Sequence, residues 1–378
     1  MSRAQAFTFY EFFAGGGMAR AGLGEGWRCL FANDFDPLKA RTYRANWGGA
    51  DLVEGDVWDI APNRLPQVAD LAWASSPCQD FSLAGARAGL GGGSSSAFWG
   101  FWRLIEGLHV QGRAPRALVL ENVGGLLTSG GGADFEAVCA AMASLDYRFG
   151  ALALDAAEVL PQSRPRVFVV ATRDPAPVAL PAPPPGCARS VQNAFERLPA
   201  ALQARWAWWA LAPAAARNSR LADLLEPDEA VAWRTPRQTQ ALLAQLGPVH
   251  RARWAAACEG PGRVVAAVFR RIRRENGEKV QRAELRLDGL AGCLRTPRGG
   301  SSRQLLLVRD GGGVRSRLLT AREGARLMGL ADSYRLPGSQ SAALQVIGDG
   351  VAVPVVRRLA EQVLEPLLAG GPACCAAE

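Results

Sequence analysis

The 378-residue chain carries 43 Lys and Arg against 35 Asp and Glu, a formal charge of +8, and is long enough for two domains. Its eight cysteines are dispersed without paired spacing, which argues against a disulfide framework and for a reducing, cytoplasmic setting. A short polar start and the lack of any run of about 18 uncharged apolar residues suggest neither secretion nor membrane insertion, while an arginine-borne excess makes nucleic acid the leading partner class.

Apolar runs at 7–13, 29–32, 71–74 and 117–120 alternate with Gly-rich or amphipathic stretches at 15–26, 37–46 and 98–108. This βαβ rhythm continues through a helix near 134–145, a strand near 149–154 and a β-branched strand at 167–170, and predicts an α/β fold with a doubly wound sheet. Prolines 175, 177, 181, 183, 184 and 185 then break the pattern, so a domain boundary is placed there. Beyond it, Trp206, Trp208, Trp209, Trp233 and Trp254 are read as a second small core in preference to base stacking. Arg270, Arg271, Arg273 and Arg274 fall within five positions, either a solvated face or a phosphate contact. A helix is expected over 320–328, with Thr320 and Glu323 as a capping box. A turn-rich stretch follows, then an apolar helix over 351–368 with Pro354 in its first turn.

Five constellations carry chemistry. Phe13-Ala14-Gly15-Gly16-Gly17 follows the first apolar run, so its glycines allow a tight turn and close approach to a ligand, but Arg20 stands where a dinucleotide fingerprint needs its third glycine. Asp34, nineteen residues beyond Gly15, is placed for ribose hydroxyls, and Asp56 for an adenine amino group, which describes an adenosine-containing cofactor. Cys78, behind Pro77 at the exit of an apolar run, is either a displayed nucleophile or a small core residue. Glu121 ends another apolar run on the same sheet edge, where a buried carboxyl can hold a proton or simply cap a helix. Arg164 and Arg166 alternate about one residue, so in an extended segment both serve one face.

Together these residues resemble the bacterial-type DNA (cytosine-5)-methyltransferase family over nearly the whole chain. The similarity implies a Rossmann-like methyltransferase domain over 1–178 plus 331–378 and a smaller target-recognition domain over 179–330. It assigns S-adenosylmethionine to Phe13, Ala14, Gly15, Gly17, Asp34, Phe35, Asp56 and Pro77, and catalysis to Cys78, Glu121, Arg164 and Arg166. Cys78 would attack C6 of a flipped cytosine, Glu121 would protonate or hydrogen-bond N3, and Arg166 would hold O2 and support Glu121. Gln79 would fill the vacated stack, and Gln79, Ser82 and the four arginines of the run would contact DNA. No metal is implied. Ile347-Gly348-Asp349-Gly350-Val351 resembles the closing motif, with Asp349 and Gly350 where the family commonly has Asn followed by Ser or Ala. A zinc deaminase is excluded, because Phe81 stands where its second cysteine is required. A transfer-RNA methyltransferase of the same fold and a DNA-binding module with a decayed site remain as rivals, and the arginine-rich insertion favours duplex DNA. A monomer is expected, with a cognate restriction endonuclease as a possible partner in the cell.

Overall fold

The computed structural model describes residues 7–77, 97–176, 179–275, 277–296 and 303–370. Cys78, Gln79 and Ser82 lie outside them. Two compact units are present: one built from 1–155, 165–214 and 351–378, the other from 156–164 and 215–350.

The first unit is organised by a seven-stranded sheet in the order β3-β2-β1-β4-β5-β7-β6. Its strands are β1 (Phe7–Phe12), β2 (Trp27–Asp34), β3 (Leu52–Glu54), β4 (Leu71–Ala74), β5 (Ala117–Asn122), β6 (Arg148–Asp155) and β7 (Pro165–Thr172). Adjacent strands from β3 to β5 pair in parallel, and β7 runs antiparallel to both β5 and β6. β4 and most of β7 are buried on both faces, as continuous apolar runs require. The reversal of strand order at β1 and β4 creates the crevice beyond the carboxyl ends of the strands where open α/β sheets bind ligands.

The helices α1 (Met18–Leu23), α2 (Pro37–Trp47), α3 (Ala97–Val110) and α4 (Ala133–Ser144) match the expected amphipathic stretches. Asp36 caps α2 by accepting from the N–H groups of Leu38 and Lys39, and Pro37 occupies the first turn. The C-terminal helix Val353–Leu359 returns to α1: a Cβ on Gly22 would stand 2.4 Å from Val356 Cβ, so only glycine permits this packing. Trp27 Nε1 also donates to Glu365 at 3.0 Å. The expected long terminal helix is divided by a π turn over Ala360–Leu364.

Two expectations are corrected here. Residues 179–214 belong to the first unit and 331–350 to the second, so the proline-rich stretch is not the division. Strand β8 (Ala179–Leu180) pairs with β9 (Trp208–Trp209), and Trp206 and Trp208 pack with Phe135, Phe149 and Phe195. These tryptophans and the fully buried Trp209 complete the core of the first unit; Trp233 and Trp254 alone lie in the second.

The second unit holds a four-stranded antiparallel sheet, β11-β10-β12-β13. Its strands are β10 (Val264–Glu275), β11 (Glu278–Arg286), β12 (Leu305–Asp310) and β13 (Gly313–Leu318), and its core includes Leu242, Leu246, Trp254, Val268 and Leu285. Thr320 and Glu323 form the expected capping box on helix Ala321–Leu327, and Glu323 is also fully buried against Arg317. Within the stretch read as turns, Ser339 caps a further helix, Gln340–Asp349.

Candidate active site

Strands β4 and β5 pair with Ala74 opposite Leu120, which brings the segment leading to Cys78 beside Glu121 and Asn122. The Asn122 amide donates to Ser76 O at 3.0 Å and lies 3.3 Å from Ser76 Oγ, while its oxygen accepts from the N–H of Val123 at 2.8 Å. Trp73 Nε1 donates to Ser75 Oγ at 3.0 Å, and the Ser75 N–H reaches Phe12 O. Both residues before Pro77 are therefore fastened to the sheet edge, and Pro77 itself is exposed.

Glu121 is buried, and Arg166 Nε meets its Oε1 at 3.1 Å. The register explains the pair: Glu121 lies opposite Phe168, and Arg166, two residues from Phe168 on β7, projects from the same face. Arg164 does not share this placement. Strand β7 begins at Pro165, so alternation does not extend to Arg164. Its guanidinium, 2 % exposed, donates to the carbonyls of Leu294, Gly348 and Gly350 inside the second unit. These bonds tie the β6–β7 connection to the closing motif, whereas it is Arg166 that pairs with Glu121.

The glycine loop turns sharply after β1. Phe13, Gly15 and Gly17 all have positive φ, at 55°, 57° and 77°. A Cβ on Gly17 would come within 2.3 Å of Trp47 Nε1, whereas one on Gly15 would meet nothing within 4 Å among the described residues. Gly15 thus borders open space, as a loop approached by a ligand must. Ala14 is buried and donates its N–H to Asn33 O.

Asp34 is 4 % exposed and accepts from Gly15 N at 2.8 Å and from Asp36 N at 2.9 Å. Burial raises its carboxyl above the ordinary value, opposed by Lys39 and by those two N–H groups. A carboxylate has about four lone-pair sites, so acceptor capacity remains for ribose hydroxyls. Phe35, 65 % exposed, presents a ring suited to covering a planar base. Asp56 caps the next short turn through Trp58 N at 3.0 Å. Open space at Gly15, the Asp34 carboxylate and the exposed Phe35 ring fit an adenosine-containing cofactor.

One residue at this site escaped the motif reading. Glu11, 1 % exposed, sits inside β1 behind the loop, and its Oε1 accepts from Arg20 N at 3.3 Å. Burial pushes its carboxyl up from 4.5 to about 8, against the lowering effect of Arg20. An acid interrupting Phe7-Thr8-Phe9-Tyr10-Glu11-Phe12-Phe13 was the signal that could have revealed it.

A family model described as C-5 cytosine-specific DNA methylase matches residues 7–365. The Type II methyltransferase M.HhaI of Haemophilus parahaemolyticus is 25 % identical over 372 residues, covering 94 % of this chain and 93 % of that protein. M.BsuFI of Bacillus subtilis, also a Type II methyltransferase, is 33 % identical over 171 residues, 45 % of this chain and only 40 % of that protein. The solved structure of the S. pombe Dnmt2 methyltransferase superimposes with a TM-score of 0.58 at 18 % identity, covering 96 % of this chain and 99 % of that one.

Proposed function

Because the chain belongs to the C-5 cytosine-specific DNA methylase family, we propose that it methylates C5 of a cytosine flipped out of a specific duplex DNA sequence, through a bond between Cys78 and C6. The observation that carries this reading is the Glu121–Arg166 pair at 3.1 Å, on the sheet edge where Asn122 fastens the segment entering Cys78. A carboxyl and a guanidinium side by side match the N3 and O2 edge of cytosine, one handling a proton and the other donating to oxygen.

Cytosine C5 is a poor nucleophile, so addition precedes substitution. The Cys78 thiolate bonds to C6, and Glu121 delivers a proton to N3, which neutralises the charge entering the ring. Arg166 orients Glu121 and holds O2. S-adenosylmethionine, held by the loop 13–17 with Asp34, Phe35, Asp56 and Pro77, supplies an electrophilic methyl group when bound. C5 would take that methyl, leaving the cofactor as its thioether; loss of the C5 proton to a base then expels Cys78 as thiolate, and N3 returns its proton to Glu121. The cytosine must leave the stack for this geometry, with Gln79 filling the space and Ser82 beside the DNA.

The second unit is inferred to be the target-recognition domain, with the Arg270–Arg274 run contributing DNA contacts. Since the relatives are named Type II methyltransferases, we infer a restriction-modification role with a cognate endonuclease, acting as a monomer. Among the described residues no helix is long and apolar enough to cross a membrane.

Duplex DNA carrying 5-fluorocytosine at the target tests the chemistry, because fluorine blocks the final elimination. With S-adenosylmethionine the wild-type chain should form a complex that survives denaturing electrophoresis, and Cys78→Ala should form none. Trapping by Cys78→Ala at the wild-type rate would overturn the mechanism. Trapping on transfer RNA but not duplex DNA would reassign the substrate.

A further inference from the structure

The arginine run lies on β10, and only its first part is inside the sheet. β10 pairs with β12 over 264–268 alone. From Phe269 onward it leaves β12 and pairs with β11, which at the buried Ala283, opposite Arg270, also bridges Leu246; beyond that position the two strands run on as a ribbon that turns where Gly277 has φ 84°.

Strand alternation splits the arginines between two faces. On one face Arg271 Nε meets Glu284 at 3.3 Å, and Arg273 Nε donates to the same carboxylate at 2.9 Å. On the other face stand Arg270, Ile272 and Arg274, opposite Ala283, Gln281 and Lys279. None of these six is acidic. Among the described residues no ion pair engages Arg270, Arg274 or Lys279, and Ile272 is 68 % exposed. Arg234 adds to the same charge: burial, then the neighbouring Arg270 guanidinium, hold it below its ordinary value. Cations gathered without an acid, around an exposed apolar side chain, leave the face matched to a polyanion with apolar groups between its charges.

We propose that this face of the β10–β11 ribbon enters the major groove of duplex DNA, with Arg270 and Arg274 on phosphates at the two rims and Ile272 against the bases between them. The assignment rests on the reading that duplex DNA is the substrate. Four residues of extended chain span about 13 Å, close to the major-groove width of about 12 Å, which admits a two-stranded ribbon. Ile272, midway, faces the floor, where thymine methyl groups offer apolar contact. Arg271 and Arg273 brace the ribbon through Glu284, so the DNA contacts inferred for the run narrow to Arg270 and Arg274.

Fluorescence anisotropy on a duplex over a salt series separates the two faces. Arg270→Ala with Arg274→Ala should reduce the slope of log affinity against log salt by about 1.8, two contacts at roughly 0.9 each. Arg274→Gln alone, at the exposed tip, should remove about half of that. Arg271→Ala with Arg273→Ala should leave the slope unchanged. In the wild-type complex, guanine N7, a major-groove atom, should be protected from dimethyl sulfate, and Arg270→Ala with Arg274→Ala should lose that protection. Equal slopes for the two double variants, or no N7 protection, would overturn the ribbon assignment and leave the methyltransferase reading intact. A wild-type chain that binds duplexes with these slopes yet methylates none would overturn that reading and not this one.

Discussion

Asn122 holds Ser76 by its backbone carbonyl, 3.0 Å from the amide nitrogen, two residues before Cys78. The bond joins two adjacent parallel strands at their carboxyl ends, so the carboxyl-bearing strand also sets the path of the chain entering the thiol. Asn122→Ala should leave the buried Ser76 carbonyl without its donor, at a cost of about 1–3 kcal/mol. Trapping on 5-fluorocytosine DNA should slow at least tenfold, while cofactor affinity measured by calorimetry stays near wild type. Unchanged trapping would separate Asn122 from the placement of Cys78.

Asp34 ties the glycine loop to the end of β2 through Gly15 N at 2.8 Å. Asp34→Ala should weaken S-adenosylmethionine binding at least tenfold in calorimetry and leave affinity for duplex DNA largely intact. Asp34→Asn, which keeps one oxygen acceptor, should lose less. Equal cofactor affinity for wild type and Asp34→Ala would remove the ribose assignment.

Glu11 makes stability depend on pH in an uncommon direction. The folded chain keeps its proton up to about pH 8, whereas an ordinary glutamate releases it near 4.5. Between those values the native state binds more protons than the unfolded one, so stability is full below about pH 4.5 and declines as pH rises through the window. The decline is at most about 1.4 kcal/mol per pH unit. Arg20 and Asp34 face the carboxyl and act in opposite senses. Glu11→Gln should flatten this dependence, with urea denaturation at pH 6, 7 and 8 showing a difference from wild type that grows with pH. Parallel stability curves would show that the native carboxyl is already ionised.

Arg164 donates to three backbone carbonyls from a site 2 % exposed. Arg164→Ala should destabilise the protein by about 3 kcal/mol or more, because the carbonyls lose their donors together. Arg164→Lys should recover little, since one ammonium cannot reproduce the planar fork. A variant of normal stability with the methyl-transfer rate abolished would keep Arg164 in the catalytic group.

Local pattern carried the first unit a long way, and its limits are instructive. Strands β1, β4 and β5 were legible because both of their faces are buried, which writes unbroken apolar runs into the chain. Thr320 and Glu323 were legible because a cap depends on neighbours within three residues. Trp206 and Trp208 were assigned to the wrong core because their partners, Phe135 and Phe149, lie far back in the chain and leave no trace in local composition. Arg164 and Arg166 looked equivalent because alternation presumes an extended segment, and β7 starts between them. Glu11 was passed over because an acid in a buried strand has no period of its own; burial alone gives it significance.

The return of helix Val353–Leu359 to α1 sets a condition on how the protein is made. Gly22 and Val356 touch across more than three hundred residues of sequence, so the first unit cannot complete the packing of α1 while the ribosome is still translating the second. Until then the groove beside Gly22 and Leu23 is exposed apolar surface, a site where a nascent chain invites chaperones or aggregates. Contacts of such separation also slow folding. A stop codon just before helix Val353–Leu359 would therefore remove a small part of the chain and prevent completion of the fold begun at its first strand.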